Sequence, residues 1–67
     1  MDAAKLAMMA NQIARNLAFQ GEKAAIDLTA QHIRDFWDPR MKAAFRTLDP
    51  ALLDPVARAA HEQLAGG

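Results

Sequence analysis

The chain contains no cysteine and no serine, and its only glycines are Gly21, Gly66 and Gly67. Without cysteine, neither a disulfide nor a thiolate-bound metal can reinforce the core. Without serine or cysteine, the usual nucleophiles are missing, and Thr29 and Thr47 have no plausible base beside them. The scarcity of glycine removes any Gly-rich loop that could cradle a phosphate. No apolar run approaches the roughly 20 residues that span a bilayer, so no membrane role is expected. The first residues lack the basic, apolar and small-residue order of a secretory signal, which makes the cytoplasm the expected location. Net charge is also missing: eight basic and eight acidic side chains cancel and are interspersed along the chain. A nucleic-acid binder normally shows a basic face, and none is apparent, so no nucleic-acid partner is expected.

What is present is alanine. Sixteen of the 67 residues are Ala, which supply much of the 52% apolar content. Alanine favours helix strongly but buries little surface, so helix propensity is high while the core is thin. A chain this short sits where one core is marginally sufficient, and it is read as a single helical domain over residues 1–67. A thin core on a short chain points to stability drawn from a partner, or to self-association of the isolated chain.

The periodicity predicts an all-α fold, a small bundle of three to four short helices. Leu6, Met9, Ile13 and Leu17 follow one helical face, with Ala10 and Ala14 beside them, so a first helix is expected from Asp2 or Ala3 to Ala18 or Phe19. Ala3, Ala7, Ala10 and Ala14 would let another helix approach closely. Gly21 suits the left-handed residue that ends many helices. A second helix is expected over Glu22 to Phe36, with Ile26, Thr29, Ala30, Ile33 and Trp37 inward. Phe36 cannot share that stripe with both Ile33 and Trp37, so one aromatic should face outward or into a partner. Three Asp-Pro pairs, Asp38-Pro39, Asp49-Pro50 and Asp54-Pro55, then punctuate the chain. Each Asp can accept a hydrogen bond from an orphan N–H of the next helix, whose first position suits proline. Met41, Ala44, Phe45 and Leu48 mark a third helix, and Val56, Ala57, Ala60 and Leu64 a last one.

The organising stretch is His32-Ile33-Arg34-Asp35-Phe36-Trp37-Asp38-Pro39-Arg40-Met41. It turns one helix sharply into the next and places the only Trp at the bend. Trp37 there either ties two helices together as core or fills a pocket on another protein, with Arg34 and Arg40 nearby; Trp and Arg are over-represented among residues that dominate interfaces. The charge of Arg40 opposes the dipole of the helix it begins, so Asp38 or a partner carboxylate must reward it. Asn11 and Gln12 lie mid-helix, where Asn has no propensity reason to be. They form a solvated face, or they recognise a partner's backbone. Met8, Met9 and Met41 suit either a core or an adaptable interface. His32 and Asp35 are spaced as a two-ligand pair, too few for a metal site, and His61 lies on a different helix. The residues expected to contact or shape a partner surface are Asn11, Gln12, Arg34, Trp37, Asp38, Pro39, Arg40 and Met41.

Two segments, Met9-Ala10-Asn11-Gln12-Ile13-Ala14 and Ile33-Arg34-Asp35-Phe36-Trp37-Asp38-Pro39-Arg40-Met41, taken in this order and separation, resemble the delta subunit of cytoplasmic NAD-dependent formate dehydrogenases. The resemblance spans roughly the whole chain, but its specificity lies in these two segments, and the part after Leu48 is generic. It implies a non-catalytic accessory subunit that assists assembly or stability by docking on the large catalytic subunit. It implies no cofactor in this chain. The partner subunits would carry a molybdenum or tungsten pterin, iron–sulfur clusters and flavin. The alternative reading is a small helical regulatory module, DNA-binding or self-associating, because two helices meeting at a tight corner are compatible with helix-turn-helix geometry.

Overall fold

The computed structural model describes residues 2–66, and within them the chain forms four helices and two single 3₁₀ turns. Helix α1 runs over Ala3–Leu17 and tightens into a 3₁₀ turn at Ala18–Gln20; α2 spans Glu22–Phe36, α3 Pro39–Thr47 and α4 Pro55–Gly66, with a second 3₁₀ turn at Pro50–Leu52. The all-α expectation holds, and the boundaries follow the punctuation. Asp2 accepts from Ala4 N at 3.0 Å, Asp38 from Met41 N at 2.8 Å and Asp49 from Ala51 N at 2.9 Å, each answering one orphan donor of the turn it starts. The third Asp-Pro pair also opens its helix, but Asp54 directs its carboxylate to Arg15, 3.5 Å away.

Gly21 departs from the expected left-handed α conformation. Its φ of 99° is positive, but its ψ of 154° puts it in a region essentially reserved for glycine. There it ends the 3₁₀ turn by donating to Ala18 O and begins α2 by accepting from Ala25 N. A Cβ at this position would meet nothing within 4 Å, so the restriction is in the backbone alone.

Helix α2 packs against both α1 and α4, and α3 closes the end of the bundle against α1 and α4. The buried stripe of α1 differs from the expected one. It consists of Leu6, Ala7, Ala10 and Ala14, whereas Ile13 and Leu17 are half-buried and Met9 is exposed. The cause is the small alanine side chain, which lets neighbouring helices approach the α1 backbone and rotates the larger residues to the flanks. Alanines recur on the other helices (Ala25, Ala30, Ala57 and Ala60 are all fully buried). The bulk is supplied by Ile33, Trp37, Phe45, Leu48 and Leu53. Phe45 is their centre: Trp37 meets it edge-on with centroids 5.4 Å apart, and His61 does so from α4 at 5.0 Å.

Two buried polar atoms, Thr29 Oγ1 and His61 Nε2, have no hydrogen-bond partner among the described residues. A buried hydroxyl without a partner costs free energy on folding. Thr29→Val keeps the β-branched shape and removes the hydroxyl. It should stabilise the chain by about 1 kcal/mol, raising the thermal midpoint by roughly 4–8 °C in a domain of this size, as a circular-dichroism melt would read. On the surface between α2 and α4, Asp27 accepts from Gln63 at 2.9 Å and from Lys23 at 3.2 Å, and these bonds hold its carboxyl below the ordinary carboxylate value.

Candidate functional site

The corner between α2 and α3 sorts its two aromatics. Trp37 ends α2 in extended backbone (φ −83°, ψ 139°), which lets Pro39 follow and swings the indole under the bend, where it is 6% exposed. Of the two readings of Trp37, the structure takes the core one: the indole is buried and packs edge-on against Phe45. Phe36 is the outward ring, 75% exposed, and lies tilted against His32 with centroids 4.9 Å apart.

Two segments separated by some 20 residues come together here. Met9, Gln12 and Ile13, with Lys5 and Met8 a turn earlier, form the α1 side of an open groove of about 470 Å³; His32 of α2 and Trp37 form the other side. The groove is largely apolar. Met8 is 65% exposed on its rim. A second hollow continues from it across Lys5 and Met9 to Met41 of α3, and a third passes under Phe36 and His32 to Leu17 and Leu28. Together they give one connected face rich in methionine and aromatic edges, the composition of adaptable binding surfaces. A larger hollow lies at the opposite end of the bundle between α2 and α4, but its rim is charged, with Glu22, Asp27 and Glu62.

The other expected contact residues divide. Asn11 does recognise backbone, but it is the chain's own: its amide donates to Leu52 O at 3.2 Å and its carbonyl accepts from Asp54 N at 2.9 Å. Asn11 therefore shapes the surface from within. Gln12 is exposed at the groove and bonds to Asn16 along its own helix. Asp38 is engaged as the cap of α3, and Pro39 is exposed at its first position. Met41 is half-buried against the core. Arg34 is exposed on α2, where its carbonyl accepts from Lys42 Nζ at 3.2 Å. Arg40 is exposed and makes no ion pair among the described residues, so Asp38 is not its counter-charge.

Lys5 and His32 line the groove and Phe36 the adjoining hollow, although none of the three is among the contact residues expected from the sequence. For Lys5 a signal existed: like Arg40, it is a cation in the first turn of a helix, where the dipole disfavours it. His32 and Phe36 lie outside the buried stripe of α2 as an aromatic pair four residues apart, which is a local pairing legible in the sequence. Among the described residues no group of three or more His, Cys, Asp or Glu side chains is placed to hold a metal ion. No described helix is long and apolar enough to cross a membrane.

A family model described as "NADH-dependant formate dehydrogenase delta subunit FdsD" matches residues 5–61 of the chain. That span contains both segments that meet at the groove. No curated protein and no solved structure matches.

Proposed function

The chain belongs to the formate dehydrogenase delta-subunit family, and we propose that it acts there as a non-catalytic accessory subunit, docking on the large catalytic subunit and assisting assembly or stability of the complex. One observation supports the docking half of this reading: Met9, Gln12 and Ile13 from one of the segments that bear the family resemblance, and Trp37 from the other, border the same exposed apolar groove. Pocket residues of methionine and aromatic type bury well against many shapes, which suits a partner surface that is itself completing its fold. Family membership favours this reading over a free-standing regulatory module.

The chemistry of formate oxidation then belongs to the partner subunits, which would hold the pterin, the iron–sulfur clusters and the flavin. This chain's contribution would be surface. By mass action, binding one conformation of the large subunit stabilises that conformation in proportion to the logarithm of free subunit over its Kd. In return, the short helical chain gains the apolar cover that its alanine-rich core lacks.

The test is retention of the large subunit by the tagged chain at micromolar concentration, followed by amide hydrogen exchange of the complex. Expected is new protection over residues 5–13 and 32–41, with the Glu22 and Glu62 end unchanged. Absence of retention, or protection confined to the opposite end, would overturn the reading.

A further inference from the structure

We propose that Met8 is a site of reversible oxidation, its sulfoxide closing the groove to a partner that its thioether admits; the gating half rests on the docking reading above. The methionines among the described residues are graded in exposure around one face. Met8 is 65% exposed and Met9 37%, whereas Met41 is half-buried against the core cluster. Met8 also stands between two hollows. On one flank it lines the groove with Ile13 and Trp37, and on the other the hollow with Asn11 and Leu52. A partner that covers both therefore seats on the Met8 side chain. That side chain is no part of the buried cluster, so altering it leaves the core contacts in place.

The chemistry needs no catalytic group. The sulfur lone pair attacks one oxygen of hydrogen peroxide, the S–O bond forms as the O–O bond breaks, and water leaves. Sulfur is oxidised by two electrons and the peroxide is reduced by two. Access governs the rate, which ranks Met8 ahead of Met9 and both ahead of Met41. The reverse step takes a dithiol: the sulfoxide oxygen leaves as water and the two thiols become a disulfide, as in the methionine sulfoxide reductases.

The product changes the groove. A flexible apolar side chain becomes a polar one that accepts hydrogen bonds, and a donor for the new oxygen is close by on the same helix. Lys5 precedes Met8 by three residues, a spacing that makes helix neighbours, and it lines the same groove. Lys5 makes no ion pair among the described residues, so its ammonium can turn to the sulfoxide. An apolar partner would then bury that polar rim without answering it, which costs binding. A docked partner covers the sulfur, so the form open to oxidation is the free chain. Leucine would supply similar apolar contact without this chemistry, which makes Met8→Leu the informative variant.

The experiment treats the full chain with graded hydrogen peroxide, removes the peroxide, maps the sulfoxides by fragment-ion mass spectrometry and measures Kd for untreated large catalytic subunit. Met8→Leu and Met9→Leu chains are treated alongside. Expected is oxidation of Met8 roughly threefold or more faster than Met9, with Met41 slowest. At the dose that converts Met8, wild-type binding should weaken about tenfold, while the Met8→Leu chain stays within about twofold of its untreated Kd. Sulfoxide reductase with dithiothreitol should restore the wild-type Kd, and the thermal midpoint should not move. If Met9 or Met41 is oxidised as fast as Met8, or if Met9→Leu is the variant that protects binding, the site is overturned. If the oxidised chain keeps its Kd, or loses affinity together with its cooperative melt, the gate is overturned while docking stands. If the untreated chain does not bind, docking fails and the gate fails with it.

Discussion

Trp37→Ala should leave the isolated chain largely unfolded at 25 °C, with helical circular dichroism lost and no cooperative melt. The indole is 6% exposed and stands edge-on to the fully covered Phe45, so the truncation removes a ring from the centre of the aromatic cluster. Large aromatic to alanine changes in a core cost about 3–5 kcal/mol, which is about all that a single core of this size supplies. The alanine stripes around it cannot close the cavity, since they already hold the helices in near contact. Phe45→Ala should behave the same way. Trp37→Phe, which keeps an aromatic edge toward Phe45, should fold with a lowered midpoint. A Trp37→Ala chain that melts cooperatively near the wild-type temperature would show the indole to be peripheral.

Partner binding can thus fail for two different reasons. Loss of partner binding by Trp37→Ala reports a missing fold. Loss of binding by a chain altered at Phe36 reports the surface. Phe36 is the informative aromatic for binding because it is 75% exposed and its removal opens no core cavity.

How much of this was legible in the sequence depends on the scale of the signal. The Asp-Pro pairs and Gly21 act within one turn, and they mark the end of α1, both ends of α2 and α3 and the start of α4; the last helix, expected to end before Gly66, runs through it. The outward position of one corner aromatic also followed, because adjacent residues on a helix lie too far apart in angle to share one buried stripe. The inward stripe of α1 did not follow. A hydrophobic-face argument weights Met9, Ile13 and Leu17 above alanine, whereas the bundle buries Ala7, Ala10 and Ala14 because close helix approach needs small side chains. His61 was missed for a related reason: it follows Ala60 on a face otherwise marked by alanines, and only its partner Phe45, 16 residues away, makes it a core ring. The groove itself is a meeting of α1 with the end of α2, and no local pattern encodes which helices become neighbours.

Asn11, which bonds to the chain's own backbone where a solvated face or a partner's backbone was expected, gives the second large prediction. A mid-helix asparagine carries a propensity cost, and here two long-range bonds offset it by fastening α1 to the connection between α3 and α4. That connection, the 3₁₀ turn and its flanks, has Leu53 buried in the core and Leu52 on the surface, so its position decides whether Leu53 stays inserted. Asn11→Ala removes both bonds at once. With each net bond worth about 0.5–1.5 kcal/mol, the loss should be about 2 kcal/mol, less what alanine returns in helix propensity. The more discriminating variant is Asn11→Asp. Its carboxylate can still accept from Asp54 N, but it cannot donate to Leu52 O and sets a negative charge against that carbonyl. Asn11→Asp should therefore cost at least as much as Asn11→Ala at pH 7 despite being nearly isosteric, and recover partly as acid protonates the new carboxyl. Amide exchange should locate the damage at residues 49–54, with α2 still protected. Equal stability of Asn11→Asp and wild type at pH 7 would mean that the bond to Leu52 O carries nothing, and that the connection is held by Leu53, the bond from Asp54 N, the Arg15–Asp54 pair and the Arg58 bonds to Pro50 O and Leu53 O.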